Sequence, residues 1–234
     1  SADAVLIKTP SGRWLLVNGG PSSTVLSDSL GRRLPPFDRH LDWLVIASPQ
    51  EEQVAALPAV LERFPVRNAL WTGNLQASYS SMRVDEWLAV HQIPLVQASD
   101  GDALDLGAGA RLEVLHVTPR GALLLIKWGG FSALLPIGVN FDAITEMEYG
   151  AGIGVVDVLL LADSGYAPLN TPEWIANLDP QVVILSVAAD DPGGLPDRQV
   201  LELTAGRNLL RTDLHGWIEV TTDGQDLQVR VETH

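Results

Sequence analysis

The stretch LVIASPQEEQVAALPAVLERF, residues 44–64, decides how this chain is read. It completes WLVIA (43–47), an apolar run that is continuous rather than alternating, as expected of a strand buried on both faces. Ser48, Pro49, Gln50, Glu51, Glu52 and Gln53 follow, and a helical stretch begins. Pro58 cannot sit inside one continuous helix, so it opens a second short one. Loops that leave buried strands commonly carry functional side chains. The spacing Ser48-x-x-Glu51, with Pro49 at the first helical position, is that of a capping box, and acidic residues here suit the positive end of the helix dipole. On this reading the corner is an ordinary helix start.

Outward from that corner, strands recur. AVLIKT (4–9) and WLLVNGG (14–20) flank a Ser11-Gly12 turn, and NALWTG (68–73) is the next strand after the helical pair. MRVDEWLAVHQ (82–92) reads as a helix with Val84, Trp87, Leu88 and His91 near one face. From 94 to 135 the texture changes to a meander of LVQA, ALDL, RLEVLHV, ALLLIKW and FSALLPI, with Gly129-Gly130 as a tight hairpin. Residues 139–149 and PEWIANL (172–178) are helical candidates. DVLLLAD (157–163) and VVILSVA (182–188) are buried strands, PDRQVLEL (196–203) is a helix, and NLLRT, WIEVTT and LQVRVET close the chain as strands. Strands mixed with helices, then a meander, then a second mixed region predict two packed sheets with helices outside.

Composition narrows the function classes. The 234 residues suit one domain over 1–234, and 46% hydrophobic against 19% charged is globular composition. No apolar run reaches the roughly 20 residues of a membrane helix, so no membrane insertion by this segment is expected. Strand sequence starts at once, so no leader is expected, and the opening Ser1 fits a domain excised from a larger membrane protein. With no cysteine there are no disulfides and no thiolate ligands. A net charge of −14 disfavours nonspecific nucleic-acid binding, which draws its affinity from phosphate neutralisation. Arg32, Arg33 and Arg39 in GRRLPPFDRH are the best local basic cluster for contacting DNA or a partner. The plainer reading of that segment is a solvated loop.

Four stretches carry a family resemblance: ADAVLIKTPSGRWLLVNGGP (2–21), LGRRLPPFDRHLDWLVIASP (30–49), WGGFSALLPIG (128–138), and DVLLLADSGYAPLNTPEWIANLDPQVVILSV (157–187) with the later LLRTDLHGWIEV (209–220). In order and wording the chain resembles the metallo-β-lactamase fold, and more narrowly the metallo-β-lactamase-like domain of ComEC-type competence proteins, which move DNA across a bacterial membrane. The resemblance implies an α/β, four-layer αββα sandwich. It also implies the extracytoplasmic face of a bacterial membrane, or the cytoplasm if the narrower likeness fails, and DNA or a membrane channel domain of the same polypeptide as partner.

The family's metal motifs do not come along. His-x-His-x-Asp-His falls on Ser48, Gln50, Glu52 and Gln53. Gly138 stands where the bridging aspartate would be, His-His-Gly-Ser becomes Asp163-Ser164-Gly165-Tyr166, and the aspartate before Gly-Gly is Asn18. A hydrolase of this fold uses Zn or Mn to lower the pKa of bound water to about 7. Zinc asks for imidazole or thiolate ligands. Amide and hydroxyl oxygens suit only a hard cation such as Mg²⁺ or Ca²⁺, which Glu52 and Asp163 would have to anchor. No metal or cofactor is therefore expected.

The five histidines, His40, His91, His116, His215 and His234, form no i, i+2 or i, i+4 metal pair. His40 reads as exposed, His91 as late in a helix, His116 as at a strand end and His215 as in a hairpin turn. Ser48 and Ser164 lack a base to activate them. GAGIG (150–154) lacks a phosphate-loop lysine and reads as a turn, as does Asp190–Gly194. The leading expectation is a pseudoenzyme with a structural or binding role in DNA uptake. The alternatives are a metal-dependent phosphodiesterase with a rebuilt oxygen-ligand site, and a binding module for single-stranded DNA or a protein.

Overall fold

Alternation along the strands sorts the apolar side chains into separate layers. In the computed structural model, which describes residues 2–232, Leu16, Leu44, Ile46, Ala69 and Trp71 face one way and join a core with helical residues. Their neighbours Leu15, Val17, Val45, Ala47 and Leu70 face the other way, into a core between two sheets. This period-2 sorting is what a strand buried on both faces requires.

The first sheet contains β1 (Val5–Lys8), β2 (Trp14–Val17), β3 (Trp43–Ile46), β4 (Ala69–Trp71) and β5 (Leu95–Gln97) in that spatial order. Only the β1–β2 hairpin is antiparallel. Its outer face is covered by α1 (Ser23–Arg33), α2 (Glu51–Val54), α3 (Leu57–Val60) and α4 (Tyr79–Val90). The second sheet is antiparallel from β6 (Ala103–Gly107) through β7 (Ala110–Val117) and β8 (Ala122–Trp128) to β9 (Phe131–Ile137). It continues in parallel through β10 (Val158–Leu160), β11 (Val182–Leu185) and β12 (Asn208–Arg211). Here α5 (Phe141–Glu146), α6 (Pro172–Leu178) and α7 (Arg198–Leu203) supply the outer core around Trp174. After the single-turn α8 (Thr212–His215), the hairpin of β13 (Ile218–Thr222) and β14 (Leu227–Val231) packs Val220, Leu227 and Val229 against Ala133, Val158 and Val182. Helices, sheet, sheet and helices make the expected four-layer αββα sandwich.

Several local expectations change. Helix α1 covers GRR, read from sequence as loop; only Leu26 and Leu30 of its residues are buried, too few to show a helical stripe. Strand β5 belongs to the first sheet, parallel to β4, and not to the meander that follows it. The Ser48 capping box does not form. Gln50 is the N-cap of α2 and makes no side-chain cap bond. Among the described residues a capping box forms instead between Ser78 and Ser81, at the start of α4. His215 ends α8 rather than sitting in a hairpin turn, and His234 lies outside the described residues.

The three arginines of the basic segment are engaged. Arg33 lies 3.5 Å from the centroid of the Trp217 ring, and Arg32 pairs with Asp28 at 2.8 Å and Glu232 at 3.4 Å, tying α1 to the C-terminal hairpin. Arg39 stands 5.8 Å over Phe64. Among the described residues no helix is long and apolar enough to cross a membrane.

Two fully buried indoles, Trp71 and Trp174, have no hydrogen-bond partner for Nε1 among the described residues. A buried unsatisfied donor costs about 1–3 kcal/mol. Trp71→Phe removes the donor and keeps most of the ring, so we expect its urea-unfolding free energy within about 1.5 kcal/mol of the parent. Trp71→Ala should lose about 3–5 kcal/mol.

Candidate functional site

The ends of β2, β3, β9 and β10 carry most of the expected motif positions, Asn18, Ser48, Gly138, Asp163 and Ser164 among them. Asn18 is fully buried at the end of β2, in a left-handed conformation (φ 53°) that asparagine tolerates better than most residues. Its Oδ1 accepts from the backbone N–H groups of Ala47 (2.9 Å) and Ser48 (3.2 Å), and its Nδ2 donates to Gln53 Oε1 at 3.0 Å. The same Gln53 oxygen accepts the backbone N–H of Asp3 at 2.9 Å, and Gln53 Nε2 donates to Asp3 Oδ2 at 3.2 Å. Gln53, one of the three positions where histidines would fall in the first motif, is thus committed to the fold.

Ser48, also fully buried, donates its hydroxyl to the Arg120 carbonyl at 2.5 Å and is spoken for as a nucleophile. Gly138 closes the other side. Its φ is +69°, and a Cβ there would overlap the Arg120 carbonyl oxygen and come within 2.9 Å of Ser48 Oγ. The backbone itself fills the space into which an aspartate at 138 would project. Thr118 Oγ1 donates to the Gly138 carbonyl at 3.1 Å and fixes that approach.

Asp163 and Ser164 both adopt left-handed φ, 47° and 50°, in a turn after β10. Ser164 is buried and donates to the Ser186 carbonyl at 2.6 Å. Asn170 holds the turn from behind: Oδ1 accepts from the Ala162 N–H at 2.9 Å, and Nδ2 donates to the Ala162 and Tyr166 carbonyls.

Gln50 and Glu52 are not drawn into this network: Gln50 is half-buried and Glu52 is exposed on α2. Glu51, the expected capping partner of Ser48, instead reaches the start of α4. Its carboxylate accepts the Ser80 hydroxyl at 2.6 Å and the Ser80 N–H at 2.9 Å, which hold its carboxyl below the ordinary range. Among the described residues no three or more His, Asp or Glu side chains are grouped to hold a metal ion. At Asn18, Ser48, Gln53 and Ser164 the polar atoms are amides and hydroxyls already bonded to the chain, which do not fit Zn or Mn; the carboxylates at the motif positions are Glu52 and Asp163. His116 is paired at Nδ1 with Asp100 (3.0 Å) and at Nε2 with Glu146 (3.5 Å), on opposite sides of the ring, so the three do not converge on one point. His91 caps α4 and stacks on Trp87.

Sequence reading missed Asp3, Arg120, Thr118, Asn170 and Ser186. Arg120 enters through its carbonyl, which has no sequence signature. Asp3 did carry a signal: an acidic residue directly before an apolar strand at the buried end of a sheet.

No protein-family model matches the chain, and no curated protein matches it. Solved structures do. The chain is similar to Zn²⁺-bound PqqB from Methylobacterium extorquens, with 16% identity over 89% of this chain and 82% of that one, and a TM-score of 0.59. It is similar to the β-hydroxylase CmlA from Streptomyces venezuelae (18% identity, 89% of this chain, TM-score 0.59), spanning half of that protein's length. A diphosphatase of the PhnP family matches at 15% identity over 88% of this chain and 80% of that one, with a TM-score of 0.54. The shared element is the fold: the chain has the metallo-β-lactamase-like αββα architecture, and among these neighbours PqqB is Zn²⁺-bound and CmlA is a diiron enzyme.

The joint should resist restoration of the family residues. Asn18→Asp sets a carboxylate against Gln53 Oε1, with no hydrogen to donate. We expect a loss of about 1–3 kcal/mol at pH 7 that shrinks on acidification, when the protonated acid can donate. Gly138→Ala should lose about 1–3 kcal/mol or more from its positive φ and overlap. Thermal unfolding across pH checks both.

Proposed function

We propose that this is a non-hydrolytic domain of the metallo-β-lactamase fold, a structural or binding part of a ComEC-like DNA-uptake protein on the extracytoplasmic side of a bacterial membrane. The observation that carries the first part is the commitment of Asn18, Ser48, Gln53 and Gly138 to internal contacts at the motif positions. The competence context is supported by the sequence resemblance and not by the fold neighbours, whose likeness reaches only the architecture. The partner we propose is the membrane channel portion of the same polypeptide. Direct DNA contact through Arg32, Arg33 and Arg39 is disfavoured, because the first two are held by α1 and the C-terminal hairpin.

The metal dependence of proteins sharing this fold favours one rival: a hydrolase whose metal is carried by oxygen ligands at Glu52 and Asp163. Mass spectrometry of protein purified without chelator, then incubated with Zn²⁺, Mn²⁺ and Mg²⁺, separates the two. We expect well under one equivalent of each metal and no metal-stimulated cleavage of DNA or a phosphodiester. A stoichiometric ion, with hydrolysis abolished by Glu52→Ala or Asp163→Ala, would establish the rival.

A further inference from the structure

We infer that the corner where this fold carries its metal motif binds a proton instead: Asp3 is held there as the neutral acid and joins the two halves of the sandwich, and the joint loosens when that proton leaves. This rests on the reading that no metal occupies the corner.

The geometry is that of a bridge. On one side Asp3 is gripped at its N–H and at Oδ2 by Gln53, which is itself tied to Asn18 at the end of β2. On the other side Ser186, just past β11, donates its hydroxyl to the Ala2 carbonyl at 3.1 Å, and its own carbonyl accepts from Ser164 after β10. The short segment Ala2–Asp3 therefore connects the first sheet to the second at the end where the strands converge.

Asp3 is a poor place for a charge. It is 5% exposed, and Oδ1 has no hydrogen-bond partner among the described residues. A buried carboxylate is stabilised by two or three donors. This one receives the Gln53 amide at 3.2 Å, beside a Ser186 hydroxyl that serves Ala2. The neutral acid needs fewer donors. Burial is the main cause that pushes the carboxyl up, to about 6. The charged side chain that acts on it is Asp163, which adds to the rise, while the Gln53 amide and the neighbouring Ser186 hydroxyl oppose it.

Because the folded state holds this proton more tightly than the unfolded chain does, the stabilisation is complete below the ordinary carboxylate range. It is lost as pH rises through about 6. The parent chain and Asp3→Asn, which mimics the neutral acid, should be unfolded by urea between pH 4 and 8. Relative to the variant, the parent's folded-to-unfolded ratio should fall about fifty-fold between pH 4 and 7. Hydrogen exchange at Gln53 and Ser186, corrected for intrinsic rates, should quicken over the same range in the parent only. Parallel profiles for the two proteins would overturn the proposal. If the variant does not fold, carbon NMR of the Asp3 carboxyl in the parent decides: a midpoint near 6 supports the joint, and one near 4 overturns it. Repeating the series with chelator and with Zn²⁺ keeps the two readings apart. A metal-induced shift in both proteins would sink the non-hydrolytic assignment, whereas parallel profiles without a metal effect would sink only the proton joint.

Discussion

The side chain of Asn18 ties together three stretches of chain: the end of β2, the end of β3 and α2. Its oxygen takes two backbone N–H groups where β3 ends, and its nitrogen holds Gln53 on α2. The fit is specific to an amide. The position needs an acceptor on one side and a donor on the other, within a buried, left-handed turn. An aspartate offers two acceptors, which suits a cation beyond it but not a glutamine carbonyl. Asn18 and Gln53 are therefore matched to each other, and Gln53 in turn is matched to Asp3.

The second half of the sandwich meets Ser48 through backbone rather than side chains. Arg120 presents its carbonyl to Ser48, and Gly138 presents bare backbone against both. Gly121 allows the same closeness: a Cβ there would come within 2.9 Å of the Ala47 carbonyl oxygen, just past β3, and overlap that of Ile137. The start of β8 and the end of β9 thus approach the first sheet too closely for projecting ligands. In a fold whose chemistry depends on side chains converging on an ion, this end is filled by chain. Filled and hydrogen-bonded, this corner joins the ends of the two sheets.

The strands and their layering were legible, β5 apart, because period-2 burial on both faces leaves a long apolar signature, as in WLVIA and DVLLLAD. Helix α1 was not, because it buries few residues and carries Ser, Asp and Gly among them. The helix start at Ser48 was misread for a related reason. Its spacing suits a cap, but the hydroxyl had a better partner, the Arg120 carbonyl, 72 residues away. Glu51 likewise spends its carboxylate on another helix, at Ser80.

What the sequence by itself determined was the pattern of burial, and with it the sandwich and the absence of histidine and thiolate ligands at the motif positions. Those follow from residue type and period, which are local. What only the tertiary structure decided is where the remaining polar groups turn. Asn18 and Gln53, Asp3 and Gln53, Ser48 and Arg120, Ser164 and Ser186 are pairs 22 to 72 residues apart. Hydrogen bonds are directional and short, so such pairs exist only once the sheets have stacked and brought the strand ends within reach.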